Sequence, residues 1–104
     1  MYEIKIEDHF DKQMSSLNKL TPYGDKRNKE VREEILDSID ILEDQGFLPD
    51  SYQDHILTDR PWTGFHEYHI LDDLLVVYYK IEKKKRIRMI AITNHNQLRT
   101  GKRQ

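Results

Sequence analysis

The chain predicts an α+β domain of two layers, with helices laid on one face of an antiparallel sheet. Three observations predict it. Apolar residues recur at spacings of three and four through the first half, which is the period of a helix with one buried face. From residue 64 the pattern changes to alternation and to one unbroken apolar run, Leu74 to Tyr79, as strands require. A short alternating stretch precedes the helices. The order is therefore an N-terminal strand, a two-helix hairpin, then a three-to-four-stranded antiparallel sheet.

Each element has its own warrant. Tyr2, Ile4 and Ile6 alternate with Glu3 and Lys5, the signature of a half-buried strand. Asp8 offers a helix N-cap. Phe10, Met14, Leu17 and Leu20 then share a helical face, and Thr21-Pro22-Tyr23-Gly24-Asp25 ends it. A second helix starts near Lys26 to Asn28, with Val31, Ile35, Ile39 and Leu42 as its stripe and Leu36 and Ile41 beside it. Gly46 suits the left-handed position after its last turn, and Pro49 blocks continuation. Ile56-Leu57 opens a short strand, residues 64–70 a longer one, and Asp72-Asp73 a tight turn. Residues 74–81 form a central strand covered on both faces. Glu82 to Lys85 make a polar turn, and Arg86 to Thr93 the last strand. The N-terminal strand is expected to join this sheet at one side. The polar tail 99–104 is expected to be mobile.

A chain of 104 residues fits one domain. It holds no apolar run of the ~20 residues that span a bilayer. Its first residues lack the layout of a signal peptide. The absence of cysteine removes thiolate chemistry and fits a reducing cytoplasm. The net charge of -2 conceals an asymmetry. Residues 1–80 carry 9 Lys/Arg against 18 Asp/Glu, whereas residues 81–104 carry 8 against one. Lys84, Arg86, Arg88 and Arg99 belong to this basic end, a plausible phosphate footprint.

Four of the five histidines, His55, His66, His69 and His95, lie in the second half. Histidine exchanges protons near neutrality. Several on one sheet surface, near a carboxylate and beside Lys/Arg, suit acid–base work on an anionic substrate. RNA cleavage by the 2′-hydroxyl needs a base, an acid and a stabilising cation, and no metal if side chains supply all three. Each histidine also has a plain structural reading. His66 and His69 are an odd number apart, so in a strand they point to opposite faces. His55 could only brace a loop, and His95 could only end a strand. Zinc has little support, since no histidine pair shows helical spacing or a cysteine partner. Trp62 reads better as core than as a stacking platform.

The spaced pattern Tyr52-x-Asp54-His55-x-Leu57, Trp62-x-Gly64, Glu67-x-His69, Asp73, Leu75-Val-Val-Tyr78 and Thr93-x-His95-x-x-Leu98 resembles the YafQ branch of the RelE/ParE toxin superfamily. It covers residues 48–98 strongly and the first half loosely. The resemblance implies a RelE-like fold and the toxin of a type II toxin–antitoxin module. It implies a ribosome-dependent mRNA endoribonuclease that needs no cofactor and leaves a 2′,3′-cyclic phosphate. Carried over by residue, the catalytic set is His55, His69, Asp73 and His95. His55 and His95 would move protons, while His69 and Asp73 orient the substrate. His66, Lys84, Arg86, Arg88 and Arg99 are the candidate substrate contacts. The implied partners are a cognate antitoxin, the ribosome and mRNA, with operator DNA for the toxin–antitoxin complex and no membrane; the implied location is cytoplasmic. Two departures stand out. His66 replaces an arginine, a permanently charged phosphate ligand, and Arg99 replaces an aromatic residue. They leave open a reduced activity, or a non-catalytic protein of the same fold: a gyrase inhibitor or a degenerate toxin.

Overall fold

The computed structural model describes residues 1–20, 24–70 and 74–94. The elements are β1 (Glu3–Ile6), α1 (Asp8–Ser15), α2 (Leu17–Leu20), α3 (Asp25–Gln45), β2 (His55–Ile56), β3 (His66–Ile70), β4 (Leu74–Ile81) and β5 (Arg86–Asn94). A 3₁₀ turn precedes β2 and another joins β4 to β5. The expected Asp72-Asp73 turn, the tail and most of the expected helix break at 21–25 lie outside the described residues.

The five strands form one sheet in the order β1-β5-β4-β3-β2. The last four are antiparallel neighbours, as their short connections require. β1 joins at the side, as expected, but runs parallel to β5, with Glu3 opposite Arg86 and Lys5 opposite Arg88. The sheet is thus mixed and one strand wider than a four-stranded meander.

The helices cover one face. Phe10, Leu17, Val31, Ile35 and Leu42 pack there against Tyr68, Ile70, Val76, Tyr78, Ile87, Met89 and Ile92. The α3 stripe is Val31, Ile35, Ser38 and Leu42, with Ile39 half-buried and Leu36 exposed. The Ser38 hydroxyl bonds the Ile35 carbonyl and the Tyr68 hydroxyl, both at 2.6 Å, so a small polar residue enters the core without an orphaned group. On the other, open face a smaller cluster joins Trp62, Val77, Ile90 and Ala91, flanked by Leu57, Phe65 and Tyr79. Trp62, only 3% exposed, is core of this second cluster.

Two details correct the expected helices. Asp8 is the first residue of α1 rather than its cap, a position held by Glu7 without a side-chain cap bond. The first helix also breaks at Ser16, whose backbone leaves helical geometry. Arg32 of α3 donates to the Met14 carbonyl at 2.9 Å, taking an acceptor that would otherwise continue the helix. The end of α3 follows expectation: Gly46 has φ 80 and its N–H bonds the Leu42 carbonyl. Lys80 of β4 donates to the Gly46 carbonyl at 2.7 Å, a cation on the negative end of the helix.

β5 carries a bulge. Val77 pairs with Ala91 and Tyr78 with Met89, so Ile90 has no opposite residue. Alternation resets there, and both Ile90 and Ala91 reach the open-face cluster.

Candidate active site

The antiparallel pairing of β2 and β3 sets His55 directly opposite Glu67. His69 lies two residues further along β3, on the same face as Glu67. His55 Nε2 is 2.9 Å from Glu67 Oε1, and His69 Nε2 is 3.9 Å from the same oxygen. All three stand on the face away from the helices. The His55 side chain is 53% exposed and that of Glu67 only 5%. Glu67 Oε2 is buried with no hydrogen-bond partner among the described residues.

The loop before His55 is held at three points. Gln53 takes a left-handed conformation, φ 56. Its carbonyl lies 3.0 Å from His55 Nδ1. Asp54 accepts a hydrogen bond from the Tyr78 hydroxyl and lies 3.2 Å from His66 Nδ1. Burial, together with the Asp54 carboxylate, pushes the Tyr78 hydroxyl far up, so it acts as a donor only.

His55 therefore meets two acceptors, a carbonyl and a carboxylate. A neutral imidazole has one N–H. The arrangement sets an exposed imidazole against a buried carboxylate.

The other sequence-derived candidates divide clearly. His66 and His69 do face opposite sides. His66 stacks on Tyr78 with centroids 4.6 Å apart and 17° between planes, beside Asp54 and under the helices. The structure thus sets His66 apart from His55 and His69, in a bracing position. Lys84 is exposed in the turn between β4 and β5. Arg86 Nε lies 2.6 Å from Glu3, and Arg88 donates to both Glu7 oxygens at 2.8 and 3.3 Å. These two cations meet Glu3 of the first strand and Glu7 just after it rather than standing as a bare phosphate footprint. Asp73, His95 and Arg99 lie outside the described residues; β5 reaches Asn94, which pairs with Leu74.

A cavity of about 410 Å³ opens further along the same face. Phe65 and Tyr79 form an aromatic wall, and Glu7, His9, Thr63 and Arg88 add polar groups. The ring centroids of Phe65 and Tyr79 are 5.0 Å apart, and Trp62 backs Phe65 edge-on at 5.6 Å. Arg88 holds the Glu7 carboxyl below its usual range, and Glu7 holds the Arg88 guanidinium charged.

Sequence reasoning missed Glu67 as a site residue. Its signal was present: two residues before His69 in a strand means the same face. It missed Glu7 too, because only the parallel β1–β5 pairing brings that residue to Arg88.

The family described as bacterial toxin of type II toxin-antitoxin system, YafQ, matches residues 2–100. No curated protein matches by sequence. Among solved structures, YafQ from E. coli strain BL21(DE3) is 20% identical with a TM-score of 0.69, over 94% of this chain and 98% of that one. A conserved hypothetical protein from Helicobacter pylori is 26% identical with a TM-score of 0.61, over 94% and 99%. The archaeal RelE–RelB complex from Pyrococcus horikoshii OT3 contains a chain 22% identical with a TM-score of 0.67, over 92% and 97%.

Proposed function

Because the chain belongs to the YafQ family of toxins from bacterial type II toxin–antitoxin systems, we propose that it is a ribosome-dependent mRNA endoribonuclease. The observation that carries this reading is the convergence of His55, Glu67 and His69 on the open face of the sheet. In the proposed reaction a base removes the 2′-hydroxyl proton, and the resulting oxygen attacks the adjacent phosphorus. The P–O5′ bond breaks, leaving a 2′,3′-cyclic phosphate and a 5′-hydroxyl. Its contact with Glu67 positions His55 to protonate the departing 5′-oxygen. The buried Glu67 carboxylate orients that imidazole. His69 would lie against the phosphate. His95 as base and Asp73 as an orienting group complete the set on the family resemblance.

The partners that go with this reading are the ribosome, mRNA and a small antitoxin protein. A complex of E. coli YafQ with DinJ has a toxin chain 21% identical to this one, which supports an antitoxin here.

Purified chain added to ribosomes carrying mRNA is expected to cut that mRNA and leave cyclic phosphate ends. His55→Ala and His95→Ala should lose cutting while keeping the wild-type circular dichroism. Intact mRNA with the wild-type chain would remove the reading. The ion pairing of Arg86 and Arg88 favours one second reading, a toxin that binds its target without cutting. Growth arrest on induction with uncut mRNA would identify it.

A further inference from the structure

We propose that Asp54, His66 and Tyr78 form a positioning unit on the covered face of the sheet, which holds His55 in its working place without touching the substrate. The inference rests on the endoribonuclease reading, in which His55 moves a proton.

The need for such a unit comes from the strand that carries His55. β2 is the outermost strand and pairs with β3 only at His55 and Ile56. Beyond Ile56 the backbone contact continues, since Leu57 N–H donates to the Phe65 carbonyl at 2.7 Å. On the other side of His55 the ladder stops, and Gln53 turns left-handed. A residue at the end of a short edge strand opens easily. A displacement of about 1 Å in a reacting group can cost about 10²-fold in rate. His55 therefore needs a fixed neighbour on that side.

Asp54 is that neighbour. Its side chain reaches the covered face, where it is 14% exposed, while the next residue stands on the open one. Oδ2 accepts from the Tyr78 hydroxyl, and Oδ1 lies 3.2 Å from His66 Nδ1. One donor on each oxygen fixes both the place and the rotation of the carboxylate. The donors are themselves fixed. Tyr78 is fully buried in β4, and His66 lies opposite it across the β3–β4 ladder and stacks on its ring. Tyr52, two residues before Asp54, gives a second anchor. Its ring meets Tyr68 edge-on at 5.7 Å, and the Tyr68 hydroxyl is tied to Ser38 of α3. The loop is thus pinned to the core at residues 52 and 54, and His55 is the first side chain to leave it.

The contact also assigns the proton on His66. A carboxylate oxygen only accepts, so Nδ1 carries the N–H, and this bond sets the tautomer of the neutral ring. The neutral Nδ1–H ring and the imidazolium both supply that donor, so the unit requires a hydrogen bond rather than a charge. Asparagine holds its amide nitrogen as many bonds from the backbone as histidine holds Nδ1, and it can replace this donor. Leucine cannot.

Three measurements on the full, purified chain test the proposal. In alkaline buffer, long-range proton–nitrogen NMR of the imidazoles is expected to find the neutral His66 ring in its Nδ1–H form; the Nε2–H form would overturn the proposal. In Tyr78→Phe and in His66→Leu the ring signals of His55 should shift or broaden, and in His66→Asn they should return towards wild type. Unmoved His55 signals in the first two variants would overturn it as well. The third measurement is single-turnover cleavage of ribosome-bound mRNA against chain concentration. Tyr78→Phe and His66→Leu should lower the maximal rate about 10²-fold and leave the half-saturating concentration unchanged, and His66→Asn should recover most of the loss. A raised half-saturating concentration at an unchanged maximal rate would make His66 a substrate contact instead. No recovery in His66→Asn would make it a packing residue; either result sinks the unit. If Tyr78→Phe does not fold, the two His66 variants and the wild-type tautomer carry the test. A wild-type chain that leaves mRNA uncut removes the endoribonuclease, and the tautomer and the His55 signals then decide the positioning unit alone. A wild-type chain that cuts, with variants that cut as fast, keeps the endoribonuclease and removes the unit.

Discussion

Glu67 is the residue on which the candidate site depends, and it is placed at a cost. One carboxylate oxygen is engaged by His55, while the other is buried without a hydrogen bond among the described residues. A buried unpaired oxygen costs roughly 1–3 kcal/mol. Such a group fits the catalytic role proposed for Glu67. Glu67→Gln is therefore expected to lower single-turnover mRNA cleavage by about 10²–10⁴-fold, the usual worth of acid–base assistance. The same change should raise stability by roughly 1 kcal/mol in urea unfolding, since it replaces a carboxyl whose second oxygen is buried without a partner among the described residues. Loss of stability with cleavage intact would make Glu67 a structural residue. At the neighbouring cavity, Glu7 allows a pH test. Its folded pKa is lowered by Arg88 from the ordinary 4.5. A depressed carboxylate stabilises the fold above that ordinary value and loses the contribution as pH falls through its folded pKa. Glu7→Gln should thus cost about 1 kcal/mol or less at pH 7, given the partial exposure of the pair. The gap to wild type should close as the solution is acidified below the ordinary carboxylate range, measured by thermal melting across pH.

Among the elements, β5 shows how a helix can substitute for a strand. β1 pairs with β5 only from Arg86 to Met89. Beyond that, Gln13 of α1, 6% exposed, bonds Ile92 at both backbone groups: Nε2 to the carbonyl at 2.8 Å and Oε1 from the N–H at 2.7 Å. Gln13→Leu leaves both groups unpaired and should cost about 2–6 kcal/mol by urea denaturation, at 1–3 kcal/mol for each group. The C-terminus of α3 has a second constraint. At Gly46 a Cβ would lie 2.1 Å from the Tyr2 ring, on a backbone already at φ +80. Gly46→Ala should cost at least about 1–2 kcal/mol from the left-handed backbone alone, and more if Tyr2 must move, as seen in the melting temperature. Periodicity made most elements legible: strands β3 to β5, helix α3 and its Gly46 terminus follow from spacing and turn chemistry. The break at Ser16 and the buried Gln13 did not, because each is imposed by a partner distant in sequence, Arg32 in one case and Ile92 in the other. The site was half legible. His55 and His69 were named from their spacing and the family pattern, whereas Glu67 needed the β2–β3 register. The opposite facing of His66 and His69 was legible in strand parity, whereas the stacking of His66 on Tyr78 needed the β3–β4 register.

At the scale of the molecule, the charge asymmetry of the sequence is partly folded away. The basic start of β5 is laid beside β1 and the residue after it, so Arg86 and Arg88 meet Glu3 and Glu7 rather than solvent alone. The sheet in turn divides the molecule into a covered face and an open one, with separate apolar clusters. The single tryptophan belongs to the open-face cluster. Val77, Ala91 and Ile90 of that cluster share strands with the main core, so the two clusters should unfold together. Trp62 fluorescence and far-ultraviolet circular dichroism are expected to give coincident urea midpoints. An earlier fluorescence transition would show that the open face, and with it the candidate site, loosens independently.

The bulge at Ile90 has a consequence for which changes the chain can tolerate. A strand is a two-letter clock, and this one skips a tick. Before Ile90 the odd residues Ile87 and Met89 point to the helices; after it the even residue Ile92 does. Deleting Ile90 would leave Met89 and Ala91 adjacent, opposite Tyr78 and Val77, so that every other side chain of β5 keeps its face. What is lost is one apolar side chain of the open-face cluster. The bulge is therefore a point where the strand can shorten by one residue, and relatives without it should keep the residues on either side facing as they do here.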